Sequence, residues 1–364
     1  MDDHDRLPRR SRTIRTGARV AFRSACALAA IVAAGLVPAP AQADEGGVSM
    51  WVPGFFGSLA AAPQVPGWAL ATIYYHPSVN ASGNAALSRE ITIGRFNPNL
   101  DVNVRAALSA RPDIVLFAPS YTFATPVLGG QAQVLFLQGV GRAQGAIDAT
   151  VAASLGPLSA TRSVSVDDER WGFGDFGVQS NLRWNHGVNN YMVYGAVNIP
   201  SGMYDPAQLA NLGIGHWALD FGGGYTYLNP QTGTEFSGVL GFTYNFVNPS
   251  TDYQNGVDMH FDWAASHFLT KQFFVGVVGY AYQQLTPDRG QAAILGDFKS
   301  RVFGIGPQAG YLFPVGDMQG YLNLKGYKEF EAENRPEGWN IWVTFSISPK
   351  APERATPRGG MVTK

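Results

Sequence analysis

Val257-Asp258-Met259-His260-Phe261-Asp262-Trp263 alternates apolar and polar residues without a break. Successive side chains of a β-strand point to opposite faces, so Val257, Met259, Phe261 and Trp263 share one side. Asp258, His260, Asp262 and, further on, Ser266 share the other. The same period recurs elsewhere. Phe236, Leu240, Phe242, Tyr244 and Phe246 oppose Ser237, Thr243 and Asn245. Phe176, Val178, Leu182 and Trp184 oppose Asp175, Gln179, Asn181 and Arg183. Trp339, Ile341, Val343, Phe345 and Ile347 oppose Asn340, Thr344 and Ser346, with Trp342 out of step.

The polar faces decide between a soluble sandwich and a membrane barrel. Water-facing strands are normally rich in Lys and Glu, but these faces carry Asn, Gln, Ser, Gly and isolated charges. Trp184, Trp217, Trp263 and Trp339 sit at or near the ends of the apolar faces, as in the aromatic girdles of outer-membrane barrels. Open sheet edges cannot persist in hydrocarbon, so the strands must close on themselves. The expected fold is all-β, a closed antiparallel up-and-down transmembrane barrel of about 14 strands, with 12 as the alternative. The strands are expected near 67–76, 86–95, 100–110, 113–125, 131–142, 172–186, 189–201, 214–228, 234–247, 256–269, 272–285, 298–313, 318–331 and 337–348. Short connectors such as 185–188, 229–233, 270–271 and 315–317 read as periplasmic turns. Stretches 143–171, 202–213, 248–255, 286–297 and 332–336 read as long external loops.

Composition agrees. Of 364 residues 46% are hydrophobic and only 15% charged, which argues against disorder. The 26 basic residues do not exceed the 27 acidic ones, so no nucleic-acid partner is expected.

The flanks differ from the barrel span 67–348. Residues 1–43 read as a secretory signal peptide: seven arginines, an apolar run from Ala25 to Val37, then Ala41-Gln42-Ala43 as the cleavage signal. Cleavage after Ala43 removes Cys26, the one cysteine. Residues 44–66 are punctuated by Gly and Pro yet carry Trp51, Phe55 and Phe56, which an exposed leader would not need. Apolar burial favours a small plug folded into the lumen. Residues 349–364 read as a disordered tail.

Candidate lumen and substrate-path residues are Asp175, Arg183, Asp220, Asp258, His260, Asp262 and Arg301, with Tyr194, Tyr280, Tyr282 and Tyr327. The charges are expected to form an Arg–Asp network across the lumen. The tyrosines suit a partly polar aromatic ligand. Residues two apart on a strand are separated by about 7 Å, too far to share a metal without help from other strands. No metal, cofactor or catalytic residue is expected. His76 and Ser78 would face the same way and admit a lipid-acting hydrolase as an alternative, but Pro77 suggests the segment is already leaving the strand. A structural or adhesive barrel with ligand-binding external loops is the other alternative. Gly304-Ile305-Gly306 lacks the spacing of a dinucleotide fingerprint.

Several runs carry a family resemblance. They include Gly57-Ser58-Leu59-Ala60-Ala61, Tyr74-Tyr75-His76, Pro119-Ser120-Tyr121-Thr122-Phe123-Ala124-Thr125-Pro126, and Ala210-Asn211-Leu212-Gly213-Ile214-Gly215-His216. Gly129-Gly130, Gly222-Gly223-Gly224-Tyr225-Thr226-Tyr227, Asn229-Pro230-Gln231-Thr232-Gly233, Tyr253-Gln254-Asn255-Gly256-Val257-Asp258 and Pro314 to Tyr327 complete the set. Over residues 46–349 the chain resembles the outer-membrane proteins of the meta-pathway of phenol degradation. The resemblance implies a transporter-like barrel for passive uptake of small hydrophobic or aromatic compounds, and supplies no functional residue set. Its partners would be outer-membrane lipid, those small molecules and the barrel-insertion machinery. The extension after Pro349 departs from the family, so Phe345 and Ile347 would have to act as insertion signal from an internal position.

Overall fold

A computed structural model of the chain describes residues 49–82, 101–155, 158–290 and 299–351. Its strands are β1 (Gly67–Ser82), β2 (Asp101–Ala110), β3 (Asp113–Thr122), β4 (Gln131–Leu155), β5 (Leu158–His186), β6 (Asn189–Ile199), β7 (Ala218–Asn229) and β8 (Thr234–Asn245). They continue with β9 (Tyr253–Gln254), β10 (Asp258–Phe268), β11 (Phe273–Gln284), β12 (Arg289–Gly290), β13 (Arg301–Val315), β14 (Met318–Glu333) and β15 (Glu337–Pro349). Twelve strands close a barrel in the order β1, β3, β4, β5, β6, β7, β8, β10, β11, β13, β14, β15, and β15 pairs back onto β1 from Leu70↔Ile347 to Asn80↔Glu337. β9 and β12 form a separate two-stranded ribbon.

The expected pair 100–110 and 113–125 turns out to be one lane. β1 pairs Tyr75 with Ile114 of β3 and Val79 with Ala110 of β2, in unbroken register. The neighbouring β4 does the same, with Asp113↔Arg142 and Ala110↔Gly145. Pro112 lacks an N–H and so interrupts the ladder, while Arg111 N–H still reaches Gln144 O at 3.0 Å. Twelve, the alternative count, is therefore the barrel's strand number; the expected strand at 86–95 lies outside the described residues.

Stretch 143–171 is a correction. It is not a loop: β4 and β5 run on to Leu155 and Leu158, paired to the tip, and β2 joins β4 over the same stretch. The pairing slips by one residue between Gln138 and Val140, and the Gln138 side-chain amide donates to Gly139 O and Gly174 O at 3.0 and 2.8 Å. That side chain replaces ladder bonds the bulge would leave open.

Polarity is distributed inside out. On β8, Phe236, Leu240 and Tyr244 are 43, 41 and 43% exposed, whereas Ser237, Thr243 and Asn245 are 1, 0 and 1% exposed. A water-soluble sheet would not leave so continuous an apolar band uncovered. Connections 187–188, 230–233, 269–272 and 316–317 lie at one end together with 123–130, and the long 200–217 lies at the other with 334–336, which is three residues and not the expected long loop.

Asp175 ties down the long connection 200–217. Its carboxylate accepts from Gly202 N–H at 2.8 Å, Ile214 N–H at 2.9 Å and Asn198 Nδ2 at 3.0 Å. Bonds to a charged acceptor contribute roughly 1.5–3 kcal/mol each. Asp175→Ala is expected to release this connection, with protease cleavage inside 200–217 accelerated about tenfold and the barrel intact. Unchanged cleavage would show that the connection is held by other contacts.

Candidate functional site

The segment ahead of β1 is bonded to side chains of the strands from Trp51 to Gln64, and Gly67 opens β1 at the short-turn end. Trp51 Nε1–H donates to Asp262 Oδ2 at 2.9 Å. Lower down, Lys325 Nζ donates to Gly54 O at 2.6 Å and Phe56 O at 3.4 Å. Ser58 Oγ donates to Glu235 Oε2 at 2.8 Å, and Leu59 N–H to Glu235 Oε1 at 3.0 Å. Ala61 N–H reaches Thr226 Oγ1 at 3.0 Å, and Gln64 N–H reaches Gln131 Oε1 at 2.9 Å. Gly54 has φ +85°, and a Cβ there would stand 2.7 Å from the Tyr327 ring, so only glycine fits beneath it.

The sequence-predicted residues divide into three groups. Asp220, Asp258, His260, Asp262, Tyr194, Tyr280, Tyr282 and Tyr327 are all buried in the interior. There they form one connected cluster. His260 Nε2 lies 3.0 Å from Asp220 Oδ2, and its Nδ1 lies 3.5 Å from Asp262 Oδ2. Thr243 Oγ1 donates to Asp220 at 2.6 Å. Tyr282 OH and Asn245 Nδ2 donate to Asp258 at 2.7 and 2.9 Å. Tyr280 OH donates to Glu329 Oε1 at 2.8 Å, and the Tyr280 and Tyr327 rings lie 4.9 Å apart.

Arg183 faces the N-terminal segment, with Nη1 on Gln133 Oε1 at 2.8 Å and Nε on Ala60 O at 3.4 Å. Asp175 serves the connection described above. Arg301 does not enter the lumen: Val302 takes the inner face, fully buried, and Arg301 pairs with Glu333 at 3.2 Å on the outer side. The expected Arg–Asp network across the lumen therefore does not form among the described residues. Period two along β13 accounts for this: Val302, Gly304 and Gln308 are buried, so Arg301 shares the outer face with Phe303 and Ile305.

Trp342, out of step in the alternation, is an interior residue. Its ring lies 4.3 Å from that of Tyr75 and 6.4 Å from that of Phe55, with Lys325 Nζ 5.1 Å above it. An aromatic on the polar face was the signal that something apolar lies inside.

Opposite the polar cluster, the lumen is apolar. A chamber opens between Trp51, Val52, Phe55 and Phe56 on one side and Leu135, Leu137, Gly177, Gln179 and Ala196 on the other, with Asp220 at its edge. Leu135 and Leu137 were not singled out from sequence. Their signal is the failure of alternation in Val134-Leu135-Phe136-Leu137, where both faces are apolar. A second cavity at the short-turn end is lined by Ala61, Pro63, Phe123, Pro126, Gln131, Arg183 and Trp184.

His76 turns away from the lumen. Its Nδ1 lies 2.8 Å from Asp113 Oδ1, which also accepts from Tyr74 OH at 2.7 Å, and Arg142 holds the other carboxylate oxygen at 2.6 Å. No hydrogen bond joins Ser78 to His76 among the described residues. Nor do any three His, Cys, Asp or Glu side chains there converge as a metal site.

A family model described as putative MetA-pathway of phenol degradation matches residues 94–345. Among solved structures, an outer membrane channel from Pseudomonas putida F1 superimposes with a TM-score of 0.59 at 13% identity, covering 82% of this chain and 99% of that one. A Pseudomonas aeruginosa FadL homologue gives a TM-score of 0.39 at 11% identity, covering 83% and 95%. No curated protein sequence matches the chain.

Proposed function

The chain belongs to the family described as putative MetA-pathway of phenol degradation, and from that premise we propose that it is an outer-membrane channel for passive uptake of small hydrophobic or aromatic compounds. One observation carries the proposal: an apolar chamber, walled by Leu135, Leu137, Phe55 and Phe56, inside a barrel whose outer face is also apolar. A pore for ions or sugars gains nothing from such a chamber, because stripping water from a polar solute there is costly. A compound already poor in water contacts enters it at a gain of about 25 cal/mol per Å² of apolar surface buried.

In this reading residues 1–43 direct export and are removed after Ala43. Residues 44–66 act as a plug that leaves the apolar side passable and seals the polar side. The long connections and the β4–β5 extension face outward, and the short turns face the periplasm. The Pseudomonas putida structure that superimposes on the chain is described as an outer membrane channel, which accords with the proposed location.

The test is uptake of labelled phenol, toluene and a short alkane, at limiting concentration, by a strain lacking the gene. Uptake of at least one of the three is expected to fall several-fold and to return with the intact gene. Unchanged uptake of all three would overturn the assignment and leave the barrel without a cargo.

A further inference from the structure

The indole of Trp51 occupies a site built for a planar aromatic. Its ring is stacked on His260 at 5.0 Å and 18°, and on Tyr282 at 5.6 Å and 7°. Tyr280 closes the edge at 5.7 Å and 77°. The one polar atom of the indole is read by Asp262, whose Oδ2 accepts the N–H at 2.9 Å. Stacked faces, a perpendicular edge and a matched acceptor together make a recognition site, more than a void that a tryptophan happens to fill.

Two further features point to a ligand. Asp262 is fully buried, yet its Oδ1 has no hydrogen-bond partner. Buried carboxyl oxygens are normally satisfied, so the site has capacity for a donor that the indole does not supply. Trp51 also borders the apolar chamber, so a molecule in the chamber already touches the indole and needs no other route to the box.

We propose that the box formed by His260, Tyr280, Tyr282 and Asp262 is the selectivity site of the channel, that it takes planar aromatics bearing an N–H or O–H donor, and that Trp51 is a tethered stand-in which such compounds displace. The proposal rests on the uptake reading for its physiological meaning and narrows the cargo from hydrophobic compounds at large to phenol- and indole-like ones. Asp262 provides the discrimination: an aromatic without a donor leaves that carboxyl unpaired, a loss comparable to that of a hydrogen bond to a charged group.

The experiment uses the full chain, purified in detergent, with Trp51→Ala to vacate the box. Heat-dependent electrophoretic mobility confirms that the variant is folded. Indole is expected to bind Trp51→Ala about tenfold more tightly than the wild type, and about tenfold more tightly than benzothiophene, its isostere without the N–H, as the loss of one charge-assisted bond implies. Adding Asp262→Leu should abolish the preference between the two. Equal affinity for indole and benzothiophene, or no gain over the wild type, would overturn the proposal.

Where Trp51→Ala fails to fold, Trp51→Phe keeps an aromatic ring there while removing the donor and freeing the space of the second ring. It should raise phenol uptake relative to toluene, and an unchanged ratio would count against the site. The two claims fail separately. Loss of all uptake dependence on the gene removes the channel reading, whereas binding by the purified variant tests the box alone.

Discussion

Excising residues 49–66, with the leader and β1 kept, is expected to leave a folded barrel whose single-channel conductance rises by about an order of magnitude, since twelve strands enclose more space than wall side chains alone can fill. In the intact chain that space holds Trp51, Phe55, Phe56 and the backbone bonded to Lys325, Glu235 and Thr226. Without them the interior wall presents Glu235, Lys325, Asp262 and Glu329 to water. A wall of that composition hydrates and conducts ions with little selectivity for apolar cargo. The barrel should survive because its ladder from β1 to β15 is closed without the segment. Planar-bilayer recording of both forms measures the effect; equal conductance would mean that the segment does not limit the pore.

Gly241→Val should have the largest effect of any single substitution at the site: most of the chain is expected to lose its heat-dependent mobility shift. Gly241 and Gly222 face each other across β8 and β7, directly beneath the polar cluster. A Cβ on Gly241 would stand 2.0 Å from Tyr194 OH and 2.4 Å from His260 Nε2. One on Gly222 would meet Leu240 O at 2.1 Å. The pair forms a notch in the wall that admits the Tyr194 ring. Overpacking a full core costs roughly 1–3 kcal/mol, and here it also separates His260 from Asp220, leaving buried polar groups unpaired. Retention of the mobility shift would show that the cluster can relax away from the wall.

Much of the barrel could be read directly, because lipid outside and polar groups inside impose a contrast that alternates residue by residue. β8, β10 and the start of β15 show it plainly. The contrast is weaker in the β4–β5 extension. From Ala146 to Ser165 small and polar residues are interspersed among the apolar ones, and so the β4–β5 extension read as a loop although its strands stay paired from Ala146↔Asp167 to Leu155↔Leu158. The lane shared by β2 and β3 read as two strands because Pro112 is a local break signal, while the continuity of register is a property of β1 and β4.

The site was legible in part. Alternation placed Asp220, Asp258, His260 and Asp262 on one face, since facing depends only on period. It could not show that they pair with Trp51, whose partner lies 211 residues away. Nor could it find the apolar wall at Leu135 and Leu137, which breaks the very pattern that identified the strands.

The first strand of this barrel is zipped to its last, and Gly54 in the stretch before that first strand is bonded to a lysine 271 residues further on. The staves are expected to wrap around the leading stretch as around a mandrel, with the final one sealing it in. Contacts so distant along the chain form slowly, which makes sealing, rather than the raising of individual staves, the expected slow stage of biogenesis.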